Sequence, residues 1–275
     1  MILDDILKEK TKEIEKFKAA LNEADYRNKA FLAFNGLRSL KSALKPRSNG
    51  EAVSYRICSI IAEVKKTSPS KGLLVENYKP DELAAIYERG GASAISVLTD
   101  KKFFMGNPSD ILKVRNAVKL PVLRKDFIID EIQIFESKII EADAILLIIK
   151  ALTEVQYKNL LALAAELSLE VLTEIADEKE LETAYKYNAE IIGINSRDLR
   201  TFKTDLFKTA ALAEKIPPGK LIVAESGING RGDIEMLMKR GINSFLIGEA
   251  LVTSADASKM LKDFLSPYSM NNNYI

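Results

Sequence analysis

The sequence predicts an α/β fold, a (β/α)8 barrel preceded by a helical extension, and three observations carry that reading. Eight short apolar runs follow one another: Ile57–Glu63, Ala92–Leu98, Leu120–Asp126, Asp143–Ile149, Leu169–Glu174, Glu190–Asn195, Leu221–Ser226 and Asn243–Gly248. Near-continuous apolar runs, mostly rich in β-branched residues, belong to strands buried on both faces, as in parallel sheets. Amphipathic stretches alternate with them, including Pro80–Arg89, Ser109–Ala117, Glu131–Glu141, Thr153–Leu167, Glu178–Tyr187, Leu206–Glu214 and Gly232–Arg240. Several of these end in a turn signal directly before the next run, as at Arg89-Gly90-Gly91-Ala92, Glu141-Ala142-Asp143, Tyr187-Asn188-Ala189 and Arg240-Gly241-Ile242. Eight βα units in about 215 residues fit a closed barrel. A doubly wound open sheet is the alternative, and the unit count favours the barrel.

Before the first strand, Leu3, Ile6, Leu7, Lys10, Ile14, Phe17 and Leu21 recur at spacings of three and four, the signature of an amphipathic helix. A second series, Phe31, Phe34, Leu37 and Leu40, continues to Pro46, and Lys45–Ser54 reads as a loop. Interleaved charges of both signs favour helices packed on their own barrel over a membrane-surface or partner helix. Residues 1–275 therefore read as one barrel domain, of which 1–56 form the extension. The polar stretch Asn271-Asn272-Asn273 is expected to be loose.

The chain has 275 residues, 47% of them hydrophobic and 29% charged, enough apolar material for a full core. The net charge of +1 argues against a general nucleic-acid binder. The single cysteine, Cys58, excludes an internal disulfide and a cysteine-based structural zinc site, and its place inside the first apolar run reads as packing. No histidine occurs, which removes Ser–His–Asp and Cys–His mechanisms and the usual catalytic zinc sites. Protons must then be moved by Lys, Glu, Asp, Tyr or the lone Cys. The N-terminus lacks the apolar core of a signal peptide, and Asp143–Leu152 is too short to span a bilayer, so a soluble cytoplasmic protein with no membrane partner is expected.

Function in such barrels collects at the C-terminal ends of the strands. There the sequence places Glu63, then Lys65 and Ser68; Lys125 with Phe127; Glu174; Asn195 with Arg197; Glu225-Ser226-Gly227; and Gly248-Glu249. Each charge has a plain alternative: Lys125 could reach solvent, and Glu225 could simply pair with it. Charged groups abutting buried strands are costly unless paired or used, so their concentration at one rim points to a site. Ser226-Gly227 and Gly248-Glu249 bring backbone N–H groups together where barrels commonly hold phosphate, and Arg197 and Ser68 could add donors. Lys65 lies two residues past Glu63, so in an extended strand both side chains face the barrel mouth. Lys66 and Lys71 fit a solvated loop. No carboxylate cluster reads as a metal site.

The segments Ile61–Gly72 (IAEVKKTSPSKG), Pro121–Ile128 (PVLRKDFI), Glu170–Ile175 (EVLTEI), Ile191–Leu199 (IIGINSRDL), Val223–Ile228 (VAESGI) and Phe245–Leu251 (FLIGEAL) resemble the indole-3-glycerol-phosphate synthase family. The resemblance runs through all eight strands and includes the helical extension. It implies conversion of 1-(2-carboxyphenylamino)-1-deoxyribulose 5-phosphate to indole-3-glycerol phosphate, CO2 and water, in tryptophan biosynthesis and without a cofactor. By the same resemblance Lys125 is the general acid, and Lys65 holds the anthranilate carboxylate. Glu174 and Glu63 orient the lysines and move protons, Asn195 binds substrate hydroxyls or the anilino region, and Glu225 supports the lysines. Ser68, Arg197, Ser226, Gly227, Gly248 and Glu249 form the phosphate pocket, Glu249 through its backbone N–H alone with its carboxylate turned away. Phe104, Phe127 and Leu146 give an apolar slot for the aromatic ring.

The partner is a phosphorylated small molecule, and a monomer is compatible with everything read. Two departures stand out: Thr173 and Ala176 fill positions where many relatives place Val or His, neither of them catalytic, and, with about 25 residues after the eighth strand, the second barrel of fused relatives is not expected. Two other readings compete. One is a Schiff-base aldolase, with Lys125 condensing with a sugar-phosphate carbonyl. The other is a non-catalytic barrel scaffold, whose expected loss of rim residues is not seen. The helices before the first strand are also expected to cover the barrel mouth.

Overall fold

In the computed structural model, which describes residues 2–33, 36, 38–45, 55–197 and 202–269, eight parallel strands close into a barrel. The strands are β1 (Ser59–Val64), β2 (Ala94–Leu98), β3 (Val122–Lys125), β4 (Ala144–Ile148), β5 (Glu170–Ile175), β6 (Ile191–Asn195), β7 (Leu221–Glu225) and β8 (Ser244–Ile247). Each pairs with its neighbours in sequence, and β8 returns to β1, for example through Leu246 against Ile61. Every run expected to be a strand coincides with one to within two residues at either end; β1 and β5 run one residue further than expected, to Val64 and Ile175. Cys58 is corrected by the later start of β1. It sits just before β1, buried, with its thiol against the Phe264 carbonyl at 3.6 Å, so packing remains its role.

The extension supplies α1 (Ile2–Ala19), α2 (Glu23–Leu32) and α3 (Leu40–Leu44). The barrel helices are α4 (Pro80–Gly90), α5 (Ser109–Ala117), α6 (Glu131–Ile139), α7 (Glu154–Glu166), α8 (Glu178–Lys186), α9 (Leu206–Ala213), α10 (Arg231–Lys239) and α11 (Ala257–Phe264). Side-chain caps start most of them: Asp130 with Gln133 on α6, Thr153 with Gln156 on α7, and Asp177 and Asp205 on α8 and α9. The four turn signals each put a residue at positive φ: Gly91 at 98°, Glu141 at 64°, Asn188 at 56° and Gly241 at 86°.

The extension is less uniformly helical than expected. Tyr55–Arg56 form a two-residue strand paired antiparallel with Tyr268–Ser269. Phe34, Leu37, most of the 45–54 loop and the 271–273 tail lie outside the described residues.

Strand alternation divides the core in two. Inward-facing Ile61, Ala94, Leu123, Ala144, Leu146, Leu172, Ile191, Val223 and Leu246 fill the barrel interior, closed from below by Leu40 and Leu44 of α3. Outward-facing residues such as Ile60, Val97, Val122, Leu147, Ile192 and Phe245 pack beneath the helices. Full burial of each such aliphatic side chain contributes about 1.5–3 kcal/mol before the entropy of ordering is counted.

Candidate active site

The apolar interior ends abruptly one pleat from the top. Two residues beyond Ile61, Leu123, Leu172 and Val223 on the same inward rows stand Glu63, Lys125, Glu174 and Glu225. Asn195 follows Gly193 in the same way. The period of two that builds the core therefore also aims these polar groups into a cavity of about 900 Å3 at the C-terminal face. All fifteen residues expected from sequence line it: Glu63, Lys65, Ser68, Phe104, Lys125, Phe127, Leu146, Glu174, Asn195, Arg197, Glu225, Ser226, Gly227, Gly248 and Glu249.

Lys125 is central. Its Nζ lies 3.4 Å from Glu225 Oε2 and 3.6 Å from Glu174 Oε2. Burial opposes its charge, but Glu225, Glu174 and Glu63 outweigh that and raise its proton affinity above the usual lysine range. A second pair stands beside it, Lys65 Nζ to Glu63 Oε1 at 2.9 Å. Burial works against the Glu63 charge, yet Lys65 and then Lys125 hold this carboxyl below its ordinary range. Asn195 Nδ2 donates to Glu174 Oε1 at 3.0 Å, and Asn195 Oδ1 accepts from the Arg197 backbone N–H at 3.0 Å.

Glu225 behaves oppositely to Glu63. Burial pushes its pKa up to about 8; Lys125 pulls it down, while Glu174 and Glu63 add to the rise. Folded protein therefore holds a proton on Glu225 between the ordinary glutamate value of 4.5 and about 8, where the unfolded chain has released it. Stability from this group is complete below that window and is lost as pH rises through it. Glu225→Gln, neutral at every pH, should flatten the fall in melting temperature between pH 5 and 8. An unchanged slope would show that Glu225 is ionised throughout.

Two glycines matter for what they leave open. A Cβ on Gly193 would overlap Glu225 Oε1, so β6 makes room for the buried carboxyl by lacking a side chain there. A Cβ on Gly248 would overlap Glu63 Oε1 and crowd Lys65 Nζ. Gly248 thus accommodates the Lys65–Glu63 pair as well as standing beside the expected phosphate pocket. Gly193 was not legible in the sequence, because only the parallel pairing of β6 with β7, with Glu225 opposite Asn195, brings the Glu225 carboxyl over it.

In the expected phosphate pocket, Ser226 and Gly227 take consecutive positive φ values of 63° and 75°, and Ser196 Oγ donates to the Ser226 carbonyl at 3.1 Å. Ser68 Oγ accepts from the Lys71 backbone N–H at 3.2 Å. Glu249 departs from expectation. Its carboxylate does not turn away from the pocket but meets Lys71 Nζ at 2.6 Å and Arg197 at 3.7 Å, drawn there by two neighbouring cations. Lys71 is accordingly paired, although largely exposed.

Phe104 and Phe127 stand with ring centroids 6.3 Å apart, and buried Leu146 lies on the same cavity wall. Ile2, Leu3 and Ile6 of α1 line the cavity as well, so the first helix does reach the barrel mouth. Its apolar stripe was visible in sequence, but which face met the cavity was not. Lys150, Asp177, Glu180, Thr204 and Lys208 also line the rim and gave no sequence signal, since they lie in turns or on exposed helix starts. Among the described residues no cluster of His, Cys, Asp and Glu is arranged to hold a metal ion, and no helix is long and apolar enough to cross a membrane.

A solved structure, thiamine phosphate pyrophosphorylase from Pyrococcus furiosus, superposes with a TM-score of 0.58 over 82% of this chain and 96% of that one, at 14% identity, which shows the shared barrel alone. Indole-3-glycerol phosphate synthase from Chlorobium phaeovibrioides is 44% identical over 254 residues, covering 92% of this chain and 95% of that protein. The Neisseria meningitidis serogroup B protein of the same name is 42% identical over 255 residues, covering 93% and 95%. The Desulfosudis oleivorans protein of that name is 48% identical over 207 residues, covering 75% and 79%. The family model for indole-3-glycerol phosphate synthase matches residues 3–264, and the chain belongs to that family.

Proposed function

We propose that the cavity closes the indole ring of indole-3-glycerol phosphate, taking 1-(2-carboxyphenylamino)-1-deoxyribulose 5-phosphate and releasing CO2 and water. The observation that carries this reading is the buried Lys125 ammonium held between Glu174 and Glu225. Its surroundings keep it protonated, which suits an acid and opposes the neutral amine that a Schiff-base aldolase requires.

In the proposed sequence, the ring carbon bearing the carboxylate attacks the ketone carbon, and Lys125 gives its proton to the ketone oxygen. CO2 then leaves, and the electron pair of the broken C–C bond restores the aromatic ring. The new hydroxyl departs as water with a second proton, while a carboxylate, Glu174 or Glu63, takes a proton from the carbon next to nitrogen. Two protons are donated and one accepted, so each turnover takes up one proton from solvent. Lys65 would hold the anthranilate carboxylate, with Glu63 orienting it at 2.9 Å. Arg197, Ser68 and the backbone from Ser226 to Gly227 and from Gly248 to Glu249 would take the phosphate, which must displace the Glu249 carboxylate from Arg197. Phe104, Phe127 and Leu146 would flank the aromatic ring, and Asn195 would bind a hydroxyl or the anilino group. These steps balance with protein and solvent protons alone, as a cofactor-free reaction requires.

The test is direct. Wild-type protein incubated with the carboxyphenylamino substrate should release one CO2 for each indole formed, read by fluorescence. Absence of product from protein shown to be folded by circular dichroism would overturn the reading. Borohydride trapping of a sugar phosphate on Lys125 would replace it with the aldolase.

A further inference from the structure

One buried cation belongs to no step of the proposed reaction. Lys10 occupies a core-facing position of α1, in register with Leu3, Ile6 and Ile14, and is only 4% exposed. A lysine at such a position is costly unless fully paired. Its Nζ lies 2.9 Å from Asp100 Oδ2, 3.0 Å from Asp126 Oδ1 and 3.0 Å from Glu13.

Both aspartates hold pieces of the cavity. Asp126 stands between Lys125 and Phe127 in the chain; its Oδ1 also accepts the Phe127 N–H at 2.8 Å, while its Oδ2 accepts from Thr99 Oγ1 at 2.6 Å and from Arg124 at 3.1 Å. Asp100 caps the helical turn Lys101–Phe104 by accepting the Phe103 N–H at 2.8 Å, and its carbonyl accepts the Gly106 N–H at 2.8 Å. That turn displays Phe104. One ammonium on the extension therefore braces the segment after the expected acid and both aromatic walls of the slot.

We propose that Lys10 is a positioning residue, which fixes Asp126 and Asp100 so that Lys125, Phe127 and Phe104 are held in register with one another. The proposal rests on the reading of Lys125 as the acid. It makes α1 a working part of the site through a specific ion pair, beyond the apolar cover given by Ile2, Leu3 and Ile6. Without the ammonium, Asp126 would keep Arg124 at 3.1 Å while the Asp100 carboxylate would rest on the Phe103 N–H, and the loop from Lys125 to Phe127 would relax. A misplacement of about 1 Å at a reacting group can cost on the order of 100-fold in rate.

The experiment compares steady-state kinetics of the full-length chain and its Lys10→Met, Lys10→Arg and Ile14→Ala variants on the carboxyphenylamino substrate, each well below its own melting temperature. Lys10→Met should lower kcat at least tenfold, with KM changed less than threefold because the phosphate pocket is untouched. Lys10→Arg, which keeps the charge and two donors, should recover most of kcat. Ile14→Ala, one turn along the same buried face and touching neither aspartate, should lower the melting temperature and leave kcat near wild type.

A Lys10→Met kcat within twofold of wild type would reduce Lys10 to a helix anchor, and an equal kcat loss in Ile14→Ala would assign the effect to helix docking in general. Should Lys10→Met not fold, Asp100→Asn removes one arm of the brace and should show the same loss of kcat in lesser degree. An unchanged kcat there overturns the proposal. Failure of wild-type protein to form product is a separate outcome, directed at the proposed reaction itself.

Discussion

Lys125→Met is expected to lower kcat by about 10²- to 10⁴-fold, the range that a positioned general acid contributes. Methionine nearly matches the lysine stem in length and removes only the ammonium and its protons. The change also leaves carboxylates behind, and its structural cost depends on how many are ionised. Glu63 keeps Lys65 at 2.9 Å. Glu225 already carries a proton up to about pH 8, and losing Lys125, which pulls its pKa down, makes that proton harder to remove. Glu174 keeps its hydrogen bond from Asn195. One buried carboxylate is thus deprived of its cation, where three would have been if all were ionised and unpaired. The variant should therefore fold while losing the reaction, and single-turnover formation of the indole product measures that loss. A rate within tenfold of wild type would move the acid to Lys65, the other ammonium in the cavity. Loss of the fold would show that Glu225 is ionised and that the triad of carboxylates depends on Lys125 for charge balance.

The distribution of such groups explains what was readable in the sequence. Strand positions were legible because burial on both faces leaves a local mark, an unbroken apolar run, and Glu63, Lys125, Glu174, Asn195 and Glu225 were legible because each stands at the end of its run, whereas Phe104 and Leu146 were implied only by the family resemblance. Helix C-termini were legible where a turn signal announces a positive-φ residue, as at Gly91 and Asn188, whereas N-terminal caps such as Asp130 were read only from the structure. Contacts made by tertiary packing were not legible. Gly193 reads as any strand glycine until β7 brings Glu225 alongside it. Arg124 reads as a rim charge next to Lys125, yet alternation turns it outward beneath α6, where it binds Glu136 at 2.7 Å and Asp126 at 3.1 Å in full burial. Lys10 broke the apolar stripe of α1 in plain view, but its partners lie about 90 and 116 residues further along the chain. Glu249 was expected to avoid a phosphate that the sequence could only imply, whereas the cations actually beside it decide its direction.

Asp143→Ala tests the opposite end of the barrel, and its expected effect falls on stability. Asp143 sits just before β4 with its carboxylate wholly buried. Arg115 NH1 donates to both oxygens at 2.6 Å, the Val122 N–H donates to Oδ2 at 2.8 Å, and the Arg38 N–H donates to Oδ1 at 2.8 Å. Arg115 reaches on to the Gly36 carbonyl at 2.8 Å, and Arg38 NH1 donates to the carbonyls of Val118 and Leu120 at 2.7 and 2.9 Å. This one carboxylate therefore ties the segment between α2 and α3 to the base of the barrel. Removing one member of a buried, hydrogen-bonded ion pair costs about 3–5 kcal/mol, because Arg115 NH1 and two amide N–H groups lose their acceptor, Arg115 keeping Glu141 at 3.1 Å through Nε. At roughly 2–4 °C per kcal/mol for a chain of this size, the melting temperature should fall by about 10 °C. The cavity lies at the other face, so kcat measured well below that temperature should stay within about twofold of wild type. A melting temperature within 2 °C of wild type would mean that water replaces the carboxylate at no cost. A large fall in kcat with little change in melting temperature would mean that strain passes from the barrel base to the strand ends, and the division of labour between the two faces would be wrong.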